Sequence, residues 1–312
     1  MAEISLREVY GKTLVELGRL NPDIVVLDAD LSKSTMTRYF AETFPDRFFN
    51  VGIAEQNLIS IAAGLAASGK IPFASTFAVF APGRCFDQVR MSVAQPHLNV
   101  KIVTTHGGIT VGEDGITHQA IEDLALACAL PGFTVVVPAD ATETAQVIRV
   151  AAEIEGPFYI RLPRMKLPDI LGEKYRFVPG KAGELKPGDD LTIAAIGVMV
   201  APALKAAGLL QQMGIEARVL NVSTLMPLDV DAIIKAAQET GAIVTAEEHL
   251  EHGGLGSAIA RETAKKFPVP MEMVALNSYA QSGKPEDLLK RYGLTAEDIV
   301  QAARRVVERK KR

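Results

Sequence analysis

Tryptophan is absent from this 312-residue sequence and aromatic residues make up only 6% of it, so Ala, Val, Leu and Ile must build the interior. Two cysteines, Cys85 and Cys128, stand isolated and without metal-ligand spacing. That leaves no cysteine-built metal site and fits a reducing cytoplasm. No signal peptide opens the sequence and no apolar run approaches membrane-spanning length, so no membrane is expected as a partner. Positive charge is not in excess either. The net charge of −4 argues against nucleic acid as the main partner. Lys and Arg are spread along the chain except at Arg304, Arg305, Arg309, Lys310, Lys311 and Arg312, which read as a solvated last helical turn suited to the helix dipole. Repeats and low-complexity segments are missing. What is present is 48% hydrophobic residues, enough for two domains, each with a full core.

Short β-branched runs alternate with Ala- and Leu-rich helical patterns. The runs predict strands at Ile24–Asp28, Phe48–Val51, Ile71–Ser75, Val100–Thr105, Phe133–Val137 and Phe158–Leu162. Helices are predicted at Leu6–Leu20, Gln56–Ala67, Gly83–Ala94, Gln119–Ala129 and Thr142–Glu155. In the first helix Leu6, Val9, Tyr10, Leu14, Leu17 and Leu20 recur at helical spacing, and Asn21-Pro22 ends it. Such alternation predicts an α/β fold with a parallel sheet covered on both faces. The rhythm breaks at Pro163–Asp190, where Pro163, Pro168, Pro179 and Pro187 lie among charges and glycines, a linker composition. A second α/β series follows, with strands at Leu191–Ile196, Ala217–Leu220, Ala242–Ala246 and Glu272–Ala275 and a last helix from Ala296. The expected organisation is a first domain over residues 1–165, a linker over 166–190 and a smaller domain over 191–312.

Ligands of open parallel sheets bind beyond the carboxyl ends of the strands. Three loops fall there: Asp28 to Ser34, Gly52 to Glu55, and the long His106 to His118, of a length that is usually functional. Glu55 opens a helix directly after a strand, either as a first-turn carboxylate stabilising that helix or as a site residue. Phe77 and Phe80 share a helical face, as core or as a platform. His106, Asp114 and His118 are a metal set for a hydrolase or a hydrogen-bonded loop. Gly107-Gly108 and Gly112 admit a close ligand or simply turn the chain. Glu247-Glu248-His249-Leu250-Glu251-His252-Gly253-Gly254 matches no metal-ligand pattern and reads as a polar strand-to-helix loop.

In order and spacing these segments resemble the pyrimidine-binding part of thiamine-diphosphate enzymes, and transketolases most closely. Val51–Asn57 with Ala62-Ala63-Gly64-Leu65-Ala66 is similar to the segment that presents the catalytic glutamate. Phe77 and Phe80 match the aromatics packed on the cofactor's aminopyrimidine ring. His106 and Gly112–Gln119 resemble the substrate loop, and Arg164 a substrate-phosphate arginine. Arg7 and Ser34 fall where transketolases place phosphate ligands, and Asp30 where they place a carboxylate beside the cofactor. Gln56-Asn57 leans toward deoxyxylulose-phosphate synthases, while Val111–Gln119 leans toward transketolases. The likeness continues more weakly into a transketolase C-terminal-type α/β domain.

The resemblance implies thiamine diphosphate as cofactor, with Glu55 sharing a proton with the pyrimidine ring nitrogen. His118 would relay protons at the reacting end of the sugar. Asp114 would bind a hydroxyl, and Arg164, His106, Ser34 and Arg7 the distal phosphate of sugar-phosphate substrates. It also implies a second half, because Mg²⁺ bridges phosphate oxygens to carboxylate and carbonyl ligands that the family carries in a Gly-Asp-Gly domain. The sequence has none; Gly188-Asp189-Asp190 lacks the second glycine. An N-terminal diphosphate-binding subunit is therefore expected to hold Mg²⁺ in an α2β2 heterotetramer, with this chain alone at most a dimer. The alternatives are half of a deoxyxylulose-phosphate synthase or a 2-oxoacid dehydrogenase E1 β-like subunit, and a non-catalytic regulatory module.

Overall fold

Seven strands make the larger sheet of the computed structural model, which describes residues 3–310. The chain contributes strands β1 (Glu3–Ile4), β2 (Ile24–Asp28), β3 (Phe48–Asn50), β4 (Ile71–Phe77), β5 (Lys101–Thr105), β6 (Thr134–Val136) and β7 (Phe158–Arg161). Then follow β8 (Leu167–Pro168), β9 (Gly183–Lys186), β10 (Leu191–Ala195), β11 (Ala217–Asn221), β12 (Thr224–Met226), β13 (Ile243–Leu250) and β14 (Met271–Leu276). The larger sheet runs β12-β6-β7-β5-β4-β2-β3, and every pair in it is parallel except the β12–β6 edge. The smaller sheet runs β14-β13-β10-β11-β9, with β9 antiparallel at its edge. Among the described residues no helix is long and apolar enough to cross a membrane. Of the basic end, Lys311 and Arg312 lie outside the described residues.

Helix Leu6–Leu20 forms as its pattern requires. Ser5 Oγ accepts the Glu8 amide, and Leu6, Tyr10, Leu14 and Leu17 are buried against β2, β4 and β7 residues Ile24, Val26, Phe73 and Ile160. The opposite face of the larger sheet belongs to a core that both domains share, with Leu27, Ile59, Ala74 and Ile102 in continuity with Ile196, Leu220, Val222 and Leu225.

Three expectations change. The helix expected over Gly83–Ala94 is broken into Ala81–Arg84, Phe86–Gln88 and a wide turn over Val89–Ala94, because Cys85 leaves helical geometry at φ −120°. The helix expected from Gln119 starts at Asp123. Residues 119–122 stay outside the helix because the Ala120 carbonyl accepts the Gly108 amide and the Ile121 carbonyl accepts the Leu250 amide, each at 2.8 Å. Nor is 166–190 a free tether. Leu167–Pro168 pairs with β1, Asp140 Oδ2 accepts the Ile170 and Leu171 amides at 2.9 and 2.7 Å, and β9 joins the smaller sheet. Buried carboxylates of the first domain hold the stretch down, a role that its composition does not reveal.

Candidate active site

Parallel pairing turns the carboxyl ends of β2, β3, β4, β5 and β7 the same way, and the loops leaving them carry the residues singled out above. Glu55 opens the helix Glu55–Ala67 after Gly52, which turns the chain at φ 75°. It is 3% exposed, and its Oε2 accepts a 3.0 Å hydrogen bond from Arg84 Nη1. Arg84 also stands over the Phe80 ring, 4.3 Å from its centroid. Sequence reasoning did not name Arg84. Its signal was the spacing of four residues from Phe80, which on one helical turn sets a cation over a ring.

Phe77 and Phe80 lie nearly parallel with centroids 5.9 Å apart. The His106 ring is 3.9 Å from Phe77, and His118 stands edge-on to both phenyl rings at 6.2 and 5.6 Å. Phe77 and His106 are buried, whereas Phe80 and His118 are half-buried. The four rings therefore form a wall that is open on one side rather than a closed core. His106 shares a 2.7 Å hydrogen bond with Thr105 Oγ1. Burial pushes its imidazole down to about 3, with Arg7, Arg164 and His118 adding to the effect. It is thus a neutral hydrogen-bonding group rather than a cation.

The cations come from elsewhere. Arg7 projects from the first helix and donates to the Ser34 carbonyl at 2.7 Å and the Arg164 carbonyl at 3.2 Å. Burial, then the Arg164 charge, lowers its pKa. Ser34 is presented by the turn Ser32–Thr35, which folds around the buried Asp28. That carboxylate accepts the Leu31 amide at 2.5 Å and the Thr35 and Thr37 hydroxyls at 2.7 and 2.9 Å, and burial raises it to about 6. Arg164 Nη1 donates to the Val111 carbonyl at 2.5 Å and lies 3.4 Å from Glu113 and 3.7 Å from Asp114. Asp30 stays at the exposed mouth with φ 66°, accepting from Asn50 Nδ2 at 2.9 Å.

Other candidate groupings do not come together. His106 packs on Phe77 while Asp114 faces Arg164, and among the described residues no three His, Cys, Asp or Glu side chains converge as a metal set. Glu247 caps the helix Leu255–Lys266, accepting the Leu255 and Gly256 amides at 2.7 and 2.8 Å. His249 accepts the Ala125 amide at 3.4 Å. Gly188 abuts the backbone of Ala217 and Arg218 just before β10, so Gly188-Asp189-Asp190 does not belong to the strand-end loops.

A buried carboxylate, an open aromatic wall and two arginines thus gather at one end of the larger sheet. The family models for the transketolase pyrimidine-binding domain and the transketolase C-terminal domain match residues 2–169 and 180–299. The chain belongs to the transketolase family, whose enzymes depend on thiamine diphosphate. It is similar to a solved split-gene transketolase described as an inactive β4 tetramer, at 53% identity and a TM-score of 0.92, covering 98% of this chain and 99% of that one. It is 44% identical over 306 residues to the 6-deoxy-6-sulfo-D-fructose transketolase subunit of a Clostridium species, covering 98% of this chain and 95% of that subunit. Against the human transketolase it is 38% identical over 309 residues, which are 98% of this chain but 49% of the human protein.

Proposed function

We propose that this chain is the pyrimidine-binding subunit of a two-subunit transketolase, moving a two-carbon ketol unit from a ketose phosphate to an aldose phosphate. The observation that carries the reading is the buried Glu55 carboxylate beside the half-open Phe77–Phe80–His106–His118 wall. The wall offers a flat apolar face to an aminopyrimidine, and Glu55 a proton-sharing carboxylate at its edge. When bound, thiamine diphosphate supplies the carbanion chemistry that breaks and remakes the carbon–carbon bond. Glu55 holds the proton at the pyrimidine ring nitrogen, and Asp30 stands at the mouth of that pocket. His118, half-exposed, moves a proton at the substrate carbonyl and hydroxyl. Asp114 accepts from a sugar hydroxyl. Arg164 and Arg7 meet the distal phosphate, Arg through its forked donors, with Ser34 and the neutral His106 adding hydrogen bonds.

The diphosphate end of the cofactor, and its Mg²⁺, fall to an N-terminal partner subunit in an α2β2 assembly. Support comes from relatives named as a split-gene protein and a subunit. The test is co-expression with a diphosphate-binding subunit followed by a ketol-transfer assay across several ketose phosphates. Turnover is expected from the pair and not from this chain alone; turnover by the isolated chain overturns the reading. Pyruvate consumption with CO₂ release would reassign the pair to the deoxyxylulose-phosphate synthase or 2-oxoacid dehydrogenase type.

A further inference from the structure

Gly107 and Gly108 begin the loop that carries Asp114 and His118, and the space their side chains would need is taken. A Cβ on Gly107 would overlap the Arg161 side chain, and one on Gly108 would overlap the carboxylate of Glu248. Both glycines are thus explained by close approach of other parts of the same chain, not by a ligand. Glu248 comes from β13, in the smaller sheet, yet its Oε1 accepts the Thr110 amide of the loop at 2.6 Å. It is 4% exposed.

Around this contact the end of β13 is tied to the first domain. Arg161 Nη2 donates to the carbonyls of Ala120 and Glu248, both at 3.0 Å, and Arg161 Nε lies 3.3 Å from Asp123. The Tyr159 hydroxyl donates to Asp123 at 2.7 Å. On its far side the loop meets the second domain again. Ser282 Oγ donates to the Glu113 carbonyl at 2.6 Å, Gln119 bonds the backbone of Ala280 and Gln281 at 3.1 Å each, and the Pro285 ring lies against Gly112.

We propose that Glu248 is a positioning residue: reaching across from the second domain, it fixes the backbone of the substrate loop and so sets where Arg164 and Asp114 meet a sugar phosphate. The proposal rests on the reading of 106–118 as the substrate loop. Thr110 is one residue before Val111, whose carbonyl anchors Arg164, and four before Asp114. A buried amide deprived of its acceptor drives local rearrangement, and any shift at Thr110 passes directly to both groups. Burial raises the Glu248 carboxyl to about 7, against the pull of Arg161 and the Thr110 bond and with Asp123 adding to it. Either protonation state keeps an oxygen for Thr110, so the amide side chain of glutamine should serve as well.

The experiment compares wild type, Glu248→Gln, Glu248→Ala and Thr110→Pro, which removes the donor instead of the acceptor. Hydrogen exchange of peptides spanning 107–118 in the full chain should quicken about ten-fold or more in Glu248→Ala and Thr110→Pro and stay near wild type in Glu248→Gln, with peptides of 6–20 unchanged. In the enzyme assembled with its partner, Glu248→Ala should raise KM for a phosphorylated ketose about ten-fold and leave kcat for unphosphorylated hydroxypyruvate within about two-fold. Unchanged exchange in both loop-loosening variants, or equal losses with the two donors, overturns the proposal. If Glu248→Ala does not fold, Thr110→Pro and Glu248→Gln still decide it. Failure of wild type to transfer a ketol unit would defeat the substrate reading instead, and the exchange data would judge the clamp separately.

Discussion

His106 combines a left-handed backbone, φ 64°, with a ring tilted by 32° against Phe77 and away from water. A non-glycine residue keeps such a conformation only where its surroundings fix it, and here Thr105 and Phe77 do so. Because folding excludes a proton from this imidazole, its folded pKa of about 3 lies below the ordinary 6.5. The stability it contributes is therefore full above pH 6.5 and lost as pH falls toward 3. Denaturant titrations should show wild type losing about 3 kcal/mol relative to His106→Gln between pH 7 and pH 4; a pH-independent difference would mean that the ring titrates normally. Glu55→Gln should leave folding intact, since the amide still accepts from Arg84, yet slow deuterium exchange at the cofactor's reactive carbon in the assembled enzyme by about 10²-fold or more. Exchange within a few-fold of wild type would remove Glu55 from that role. Glu55, Phe77, Phe80 and the loop histidines could be picked out in the sequence by their order along one domain. Arg84 and Asp28 could not, because their meaning depends on where Phe80 and the Ser32–Thr35 turn finally point.

At the level of elements, the 106–118 loop anchors Arg164 and carries His118, and on the proposed function the roles of these two should separate kinetically. Arg164 is held by the Val111 carbonyl and flanked by Glu113 and Asp114, so its guanidinium is oriented before any phosphate arrives. Arg164→Ala should raise KM for phosphorylated sugars about ten- to a hundred-fold, the size of a charge-assisted hydrogen bond, and barely change hydroxypyruvate. His118→Ala should instead lower kcat with both donors, by about 10²-fold if it relays protons. Steady-state kinetics with the long and short donors checks this, and equal losses for Arg164→Ala would make that arginine structural. Ten of the fourteen strands among the described residues were legible, because runs such as Ile24–Asp28 are buried on both faces and read as continuous apolar stretches, whereas the short edge strands β1, β8, β9 and β12 were not. Helix starts were less so. Gln119 to Glu122 have a helical composition, but the Ala120 and Ile121 carbonyls accept the Gly108 and Leu250 amides, partners that no local pattern announces.

For the whole molecule, the assembly expectation can be tested by mixing. A dimer at most was expected of the lone chain, but a related split-gene protein is described as an inactive β4 tetramer. On the proposed function the chain alone should be inactive, and mixing with the diphosphate-binding subunit should give two copies of each with activity. Light scattering that finds a fully active one-to-one heterodimer would refute the paired stoichiometry. The smaller edge strand β12 was also hidden from the sequence reading. It lies beyond β11 in the chain, yet it pairs with β6 of the larger sheet, and the Val137 amide donates to the Ser223 carbonyl beside it at 2.8 Å. A gene broken between Pro163 and Ile170 would leave β6 with an unprotected edge and strip Asp140 and Glu143 of the backbone and side chains they hold. A division that keeps these contacts must therefore leave both domains on one chain.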